Sequence, residues 1–152
     1  MKNGRWIVAL LVLLFPACTE PETLSYDFCI EEPGLFPVGD KEVVSLLTLD
    51  FPNYAECRFY GKYVDLDGNG DKTDLAVFGQ GCCGNVKCPV WVLRWRNRQP
   101  TIIFHDTTYG LTLLKSKHKG LKDIKAIAAS AGWEEINIWR FNGEKYVEKG
   151  AK

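Results

Sequence analysis

The stretch Val90-Trp91-Val92-Leu93-Arg94-Trp95-Arg96 decides the fold. Successive strand side chains point to opposite faces, so Trp91, Leu93 and Trp95 share one face and Val90, Val92, Arg94 and Arg96 the other. Working outward from it, residues 101–104 and 111–114 read as further strands. Near the C-terminus Ile136, Ile138 and Arg140 alternate with Asn137, Trp139 and Phe141, and Asn142-Gly143 is a hairpin turn leading into residues 145–148. On the N-terminal side, residues 57–64 and 75–79 form a pair of strands around an Asp- and Gly-rich connection. Before them Asp40 is placed to cap a short helix over residues 41–49, with Val43, Val44, Leu46 and Leu47 as its apolar stripe and Pro52 as its stop. The expected class is α+β, mainly an antiparallel β meander with one or two short helices.

Residues 121–131 fit two patterns. Leu121, Ile124, Ile127, Ala128 and Ala131 recur at helical spacing with Gly132 as a C-cap, yet Ile124, Ala126 and Ala128 also alternate.

With 152 residues, 46% hydrophobic and 25% charged, the chain has the composition of one globular domain. Its start has the three-part order of a secretory signal: Lys2 and Arg5, an apolar run over residues 6–15, and the small Ala17 before Cys18. That run falls well short of the roughly 20 residues a bilayer-spanning helix needs. The expected organisation is a signal peptide over residues 1–17, an acidic, proline-containing tether over residues 18–40, and a single β-rich domain over residues 41–152. Residues 14–18, Leu-Phe-Pro-Ala-Cys, resemble the lipobox of bacterial lipoproteins. The resemblance implies diacylation of Cys18, which becomes the new N-terminus, and Thr19 after it implies sorting to the outer membrane, facing the periplasm.

Charge is unevenly distributed. Residues 18–86 carry a net −9 and residues 87–152 a net +7, a split that draws the halves together or presents an acidic and a basic face to partners. Arg94, Arg96 and Arg98, with Lys115, Lys117 and Lys119, form basic rows that suit an anionic polysaccharide or lipid headgroup, or merely keep strand edges soluble. No nucleic-acid partner is expected of an exported protein.

If Cys18 is acylated, Cys29, Cys57, Cys82, Cys83 and Cys88 remain, an odd number in an oxidising compartment. Cys88 closes a short loop with Cys82 or Cys83. Cys57 then pairs with Cys29 or with the unused member of the adjacent pair. Zinc is the rival for these thiols, but only one close-spaced couple is present, and structural zinc sites usually have two.

The connection Asp65-Leu66-Asp67-Gly68-Asn69-Gly70-Asp71-Lys72-Thr73-Asp74 sets oxygen-bearing side chains at alternate positions around glycines. Ca²⁺ takes six to eight oxygens at about 2.3–2.6 Å, and a tight loop bearing Asp65, Asp67, Asn69, Asp71 and Asp74 is a candidate metal site. Ala76 stands where an EF-hand has its bidentate Glu, and strands rather than helices flank the loop. An Asp/Asn/Gly-rich turn without metal is the plainer reading. The run from Tyr63 to Gly70, continuing to Asp74-Leu75-Ala76-Val77, is similar to the strand-loop-strand calcium segments of integrin-like FG-GAP and VCBS repeats. Similar segments occur in bacterial exported proteins that continue with a Cys-Gly loop, a Trp-Val strand and a terminal Arg-Phe-Asn-Gly hairpin, as here. That resemblance covers residues 60–147, implies strand for residues 121–131, and carries no activity. A single copy excludes a propeller, which needs about four to eight blades.

His105 and His118 are the only histidines, Ser130 is near neither in sequence, and no Gly-x-Ser-x-Gly or His-Glu-x-x-His pattern occurs. The expectation is therefore an envelope lipoprotein acting as a non-enzymatic binding or structural module, with calcium and a covalent lipid as its candidate cofactors. The alternatives are a periplasmic hydrolase using His105 or His118, and an inhibitor of a cell-wall lytic enzyme presenting residues 79–89 to it.

Overall fold

Helix α1 (Lys41–Asp50) begins where the Asp40 carboxylate accepts the N–H groups of Glu42 and Val43 at 2.9 and 3.0 Å. An N-cap of this kind satisfies donors that a first helical turn leaves open. The computed structural model describes residues 23–25, 34–84, 87–130 and 133–150. Among the described residues ten strands accompany the helix: β1 (Thr23–Ser25), β2 (Phe36–Pro37), β3 (Arg58–Val64), β4 (Asp74–Gln80), β5 (Cys88–Arg96), β6 (Gln99–Thr108), β7 (Gly110–His118), β8 (Leu121–Ser130), β9 (Trp133–Phe141) and β10 (Tyr146–Glu148). They form two five-stranded antiparallel sheets, in the orders β2-β3-β4-β5-β6 and β1-β7-β8-β9-β10.

The alternation in β5 explains the layering. Val90 and Val92 join Val64, Ala76 and Phe104 in a core shared with Leu111, Leu113, Ile124 and Ala126 of the other sheet. Trp91 and Leu93 point the opposite way, against Val43 and Leu47 of the helix. Both faces of this strand are covered, so residues 90–93 are all buried. The molecule is thus helix on sheet on sheet, each interface removing apolar surface from water. Trp91 is 0% exposed, ringed by Phe51, Tyr54, Phe59 and His105 at centroid distances of 5.3 to 5.7 Å. Trp95, on the same face but past the helix, is 37% exposed and lies 6.4 Å from Tyr63.

From β6 to β7 the chain passes between the sheets through a single residue, Tyr109. Thr108, 0% exposed, sets this corner: its hydroxyl lies 2.6 Å from the Ile127 carbonyl and accepts the Gly110 N–H at 3.3 Å. Asn97 and Arg98 turn β5 into β6, and Lys119 and Gly120 turn β7 into β8, all four with positive φ. Such two-residue turns match the twist of the strands they join. Arg98 is therefore a turn residue rather than a continuation of the Arg94–Arg96 row.

The residues open to helix or strand, 121–130, are strand β8. Strands run longer than the sequence indicates: β6 covers ten residues and β7 nine. Part of the 18–40 segment lies in the sheets, where β1 pairs with β7 and β2 with β3. Gly61 admits the second of these: a Cβ there would come within 2.9 Å of both Val38 and Leu75.

Cys57 bonds Cys82 and Cys83 bonds Cys88. Of the open pairings, this selects Cys57 with the unused neighbour of Cys83 and overturns Cys29 with Cys57. The first bridge holds the segment entering β3 to the far end of β4. Gly79 lies beneath it, with the Cys57 sulfur 3.1 Å from where a Cβ would stand. Residues 1–17, Cys18 and Cys29 fall outside the described residues.

Candidate functional site

The turns β3–β4, β5–β6, β7–β8 and β9–β10 gather at one end of the sandwich, and the candidate residues collect there. Residues 65–73 link β3 to β4 as a loop stitched by its own side chains. The Asp65 carboxylate accepts N–H groups from Gly68 (2.6 Å), Asn69 (3.2 Å) and Gly70 (3.2 Å). Asp67 accepts from Asn69, and Asn69 Oδ1 accepts the Asp71 N–H at 2.6 Å. Gly68 and Gly70 both have positive φ, which the turn requires.

Cations from both sheets close on this loop. Lys117 Nζ donates to the Asp67 carbonyl at 2.6 Å, and Lys122 Nζ lies 3.4 Å from Asp65. The Lys122 backbone N–H donates to the Leu66 carbonyl at 2.7 Å. Arg94 reaches Asp67 at 3.5 Å and Asp74 at 3.6 Å. A Cβ on Gly68 would meet Lys117 Nζ at 2.6 Å, so a larger residue there would make the end of this lysine shift. The opposed charges of the two chain halves therefore meet here, acidic loop against basic hairpin.

Burial pushes the Asp65 carboxyl upward, but the N–H groups of Gly70 and Gly68, together with Lys122, outweigh it and hold the group below its ordinary value. For Asp74, 2% exposed, burial wins over Arg94 and raises the pKa. Its Oδ2 is buried without a hydrogen-bond partner.

The five candidate metal residues are thus brought to one loop, but their oxygens do not converge into a ligand shell. Among the described residues no three His, Cys, Asp or Glu side chains are arranged to hold a metal. Backbone N–H groups, Arg94 and Lys122 occupy the oxygens a cation would take. The four described cysteines are in disulfides.

Beside the loop is a cleft of about 360 Å³ lined by Asp67, Arg94, Arg96, Lys119, Leu121 and Phe141, with Gly120 and Gly143 at its edge. Arg96 donates to the Glu144 carbonyl at 2.9 Å.

Neither histidine lines this cleft. His118 Nδ1 is 2.6 Å from Asp123 Oδ1, and the Ser116 hydroxyl donates to Asp123 Oδ2 at 2.7 Å. Asp123, 2% exposed, stands opposite the bulge between Leu113 and Lys117, and its two oxygens hold Ser116 within that irregularity and His118 just beyond it. Ser116 bonds the acid rather than the imidazole, so no base is placed to activate its hydroxyl, as a nucleophilic serine requires. His105 is packed against Phe51, Tyr54 and Trp91, with its Nε2 buried and unpartnered, and burial lowers its pKa. Ser130 pairs in register with Trp133 at the end of β8 opposite to the one that carries Asp123 and faces His118.

In the sequence Lys122 and Asp123 belong to a Gly-Leu-Lys-Asp segment shared with the similar exported proteins, which gave neither residue a role. Only the net charges of the halves signalled that the acidic loop would find cations across the sandwich. Comparison with protein-family models, with curated proteins and with solved structures finds no match. Among the described residues no helix is long and apolar enough to cross a membrane.

Proposed function

We propose that this chain is an outer-membrane lipoprotein, anchored through lipid on Cys18, whose disulfide-braced sandwich serves as a non-enzymatic binding module facing the periplasm. The observation that carries the anchoring is the lipobox-like run ending at Cys18 behind a basic start and a short apolar stretch. Two disulfides agree with folding in an oxidising compartment. Several acyl chains, each buried CH₂ contributing about 0.8 kcal/mol, hold a protein stably at a bilayer. Binding rather than catalysis is favoured because charged groups gather at the loop end, while neither histidine meets a nucleophile. Growth with a fatty-acid analogue tests the anchor: the wild type is labelled and Cys18→Ala is not, whereas equal labelling of both rejects it.

Calcium in the 65–74 loop is a second reading, supported by the Asp/Asn spacing and by the unpartnered Asp74 Oδ2. Binding requires Arg94 and Lys122 to leave the carboxylates they now face. On this reading millimolar Ca²⁺ raises the melting temperature and Asp67→Ala abolishes the rise. No shift leaves the loop as a charge staple between the sheets.

The hydrolase alternative has His118–Asp123 as its one favourable contact. An inhibitor role would use residues 79–89, within which Cys82 is bonded to Cys57 and Cys83 to Cys88.

A further inference from the structure

We propose that the cleft at the loop end of the sandwich is an oxyanion site, taking a carboxylate or phosphate borne by a small acidic ligand between Arg94, Arg96 and Lys119. This deepens the reading of the domain as a binding module and rests on it.

Three cations converge on the cleft against a single lining acid, Asp67. They differ in how far they are engaged. Arg94 stands 3.5 Å from Asp67 and 3.6 Å from Asp74, longer than the ~2.7–2.9 Å of a charge-assisted hydrogen bond. Its guanidinium is oriented by the two acids but keeps donors to give. Arg96 spends one N–H on the Glu144 carbonyl and faces no carboxylate at ion-pair distance among the described residues. Lys119 has no hydrogen-bond or ion-pair partner among them, and the positive-φ turn on which it sits fixes its backbone at the mouth. Five N–H donors on each guanidinium and three on an ammonium exceed what these contacts use.

The surroundings strengthen the case. Leu121 and Phe141, 3% and 7% exposed, give the cleft an apolar floor, where a bound charge is less screened than at an open surface. Gly120 and Gly143 carry no side chain, and a Cβ at either would meet nothing within 4 Å, so the edge is open to a ligand. Lys122 faces Asp65 and Lys117 donates to the neutral Asp67 carbonyl, so Arg96 and Lys119 keep their positive charge uncompensated at the cleft. Fork-shaped guanidinium donors suit the planar carboxylate and the phosphate alike.

The test is an amide-resolved NMR titration of the mature full-length chain at constant ionic strength, with inorganic phosphate, a galacturonic acid trisaccharide and a neutral galactose trisaccharide as probes. The expected result is saturable shifts at Arg96, Lys119, Gly120, Leu121 and Gly143 with one or both acidic probes, and none with the neutral sugar. Phosphate alone names a phosphate ligand, and tighter trisaccharide binding names an acidic glycan. Arg96→Gln with Lys119→Gln, both at exposed positions and so compatible with folding, weakens binding at least tenfold. Silence at millimolar acidic probe, an equal response to the neutral sugar, shifts confined to other surfaces, or an unaffected double variant overturns the proposal. Acylation is read separately from the mass of the same sample, so a processed lipoprotein with a silent cleft removes the site and leaves the anchor standing.

Discussion

His105 shows how a single residue can be read from sequence for chemistry and be found in packing. It lies against Phe51 at a centroid distance of 4.1 Å and against Trp91 at 5.3 Å, with Nε2 buried and unbonded. Burial lowers its pKa below 6.5, so the folded protein resists a proton that the unfolded chain accepts. The stability contributed by the neutral ring is complete above pH 6.5 and is lost as pH falls from there toward the folded pKa. Asp74 and Asp106, whose pKa values burial raises, act in the opposite direction at lower pH, each relieving a buried charge when protonated. His105→Phe keeps an aromatic ring and removes both the proton and the unbonded nitrogen. It is expected to stabilise the fold by about 1 kcal/mol, the low end of the cost of an unsatisfied buried polar group, and by more at pH 5.5 than at pH 8. Thermal melts at the two pH values measure this. Nothing in the sequence around His105 distinguished this packing from a catalytic position, because its neighbours come from α1's C-terminal side and from β5.

At the level of elements, local pattern was informative wherever one face decides. The alternation at residues 90–96, the Asp40 cap and the Asn142-Gly143 turn all appear where the sequence puts them. Residues 121–130 resisted because β8 is covered on one face by the other sheet, and its Ala and Ile spacing satisfies a period of 2 as well as 3.6. The length of β6 and β7 was hidden for another reason: bulges at Val92/Leu93 and between Leu113 and Lys117 break the alternation that would have marked continuous strands. The disulfides differ in reach. Loop-closure entropy for separations of 25 and 5 residues gives about 3.5 kcal/mol for Cys57–Cys82 and about 2 kcal/mol for Cys83–Cys88. Cys57→Ser with Cys82→Ser is therefore expected to cost more stability than Cys83→Ser with Cys88→Ser, as read by urea unfolding. The reverse order would mean that the shorter loop does more to hold β4 and β5 together than its closure entropy implies.

Across the whole molecule, the two charged halves of the chain become an acidic loop and a basic hairpin at one end of a sandwich. The total charge of zero gave no hint of this, but the split between residues 18–86 and 87–152 did. What it could not supply was register: which lysine meets which aspartate depends on the β7 bulge and on Gly68 making room for Lys117. The candidate loop was legible as a cluster of oxygens, while its neutralisation by Arg94, Lys117 and Lys122 was not, since these residues lie between 20 and 57 positions away in the chain.

The envelope role depends on export, anchoring and oxidation occurring on the same polypeptide. Intact mass spectrometry of the protein purified from membranes reads all three at once. The expected spectrum is that of residues 18–152 carrying acyl chains on Cys18, with four cysteines oxidised as two bridges and Cys29 reactive toward a thiol reagent. A chain retaining Met1, without added acyl mass and with all six thiols reactive, would contradict it.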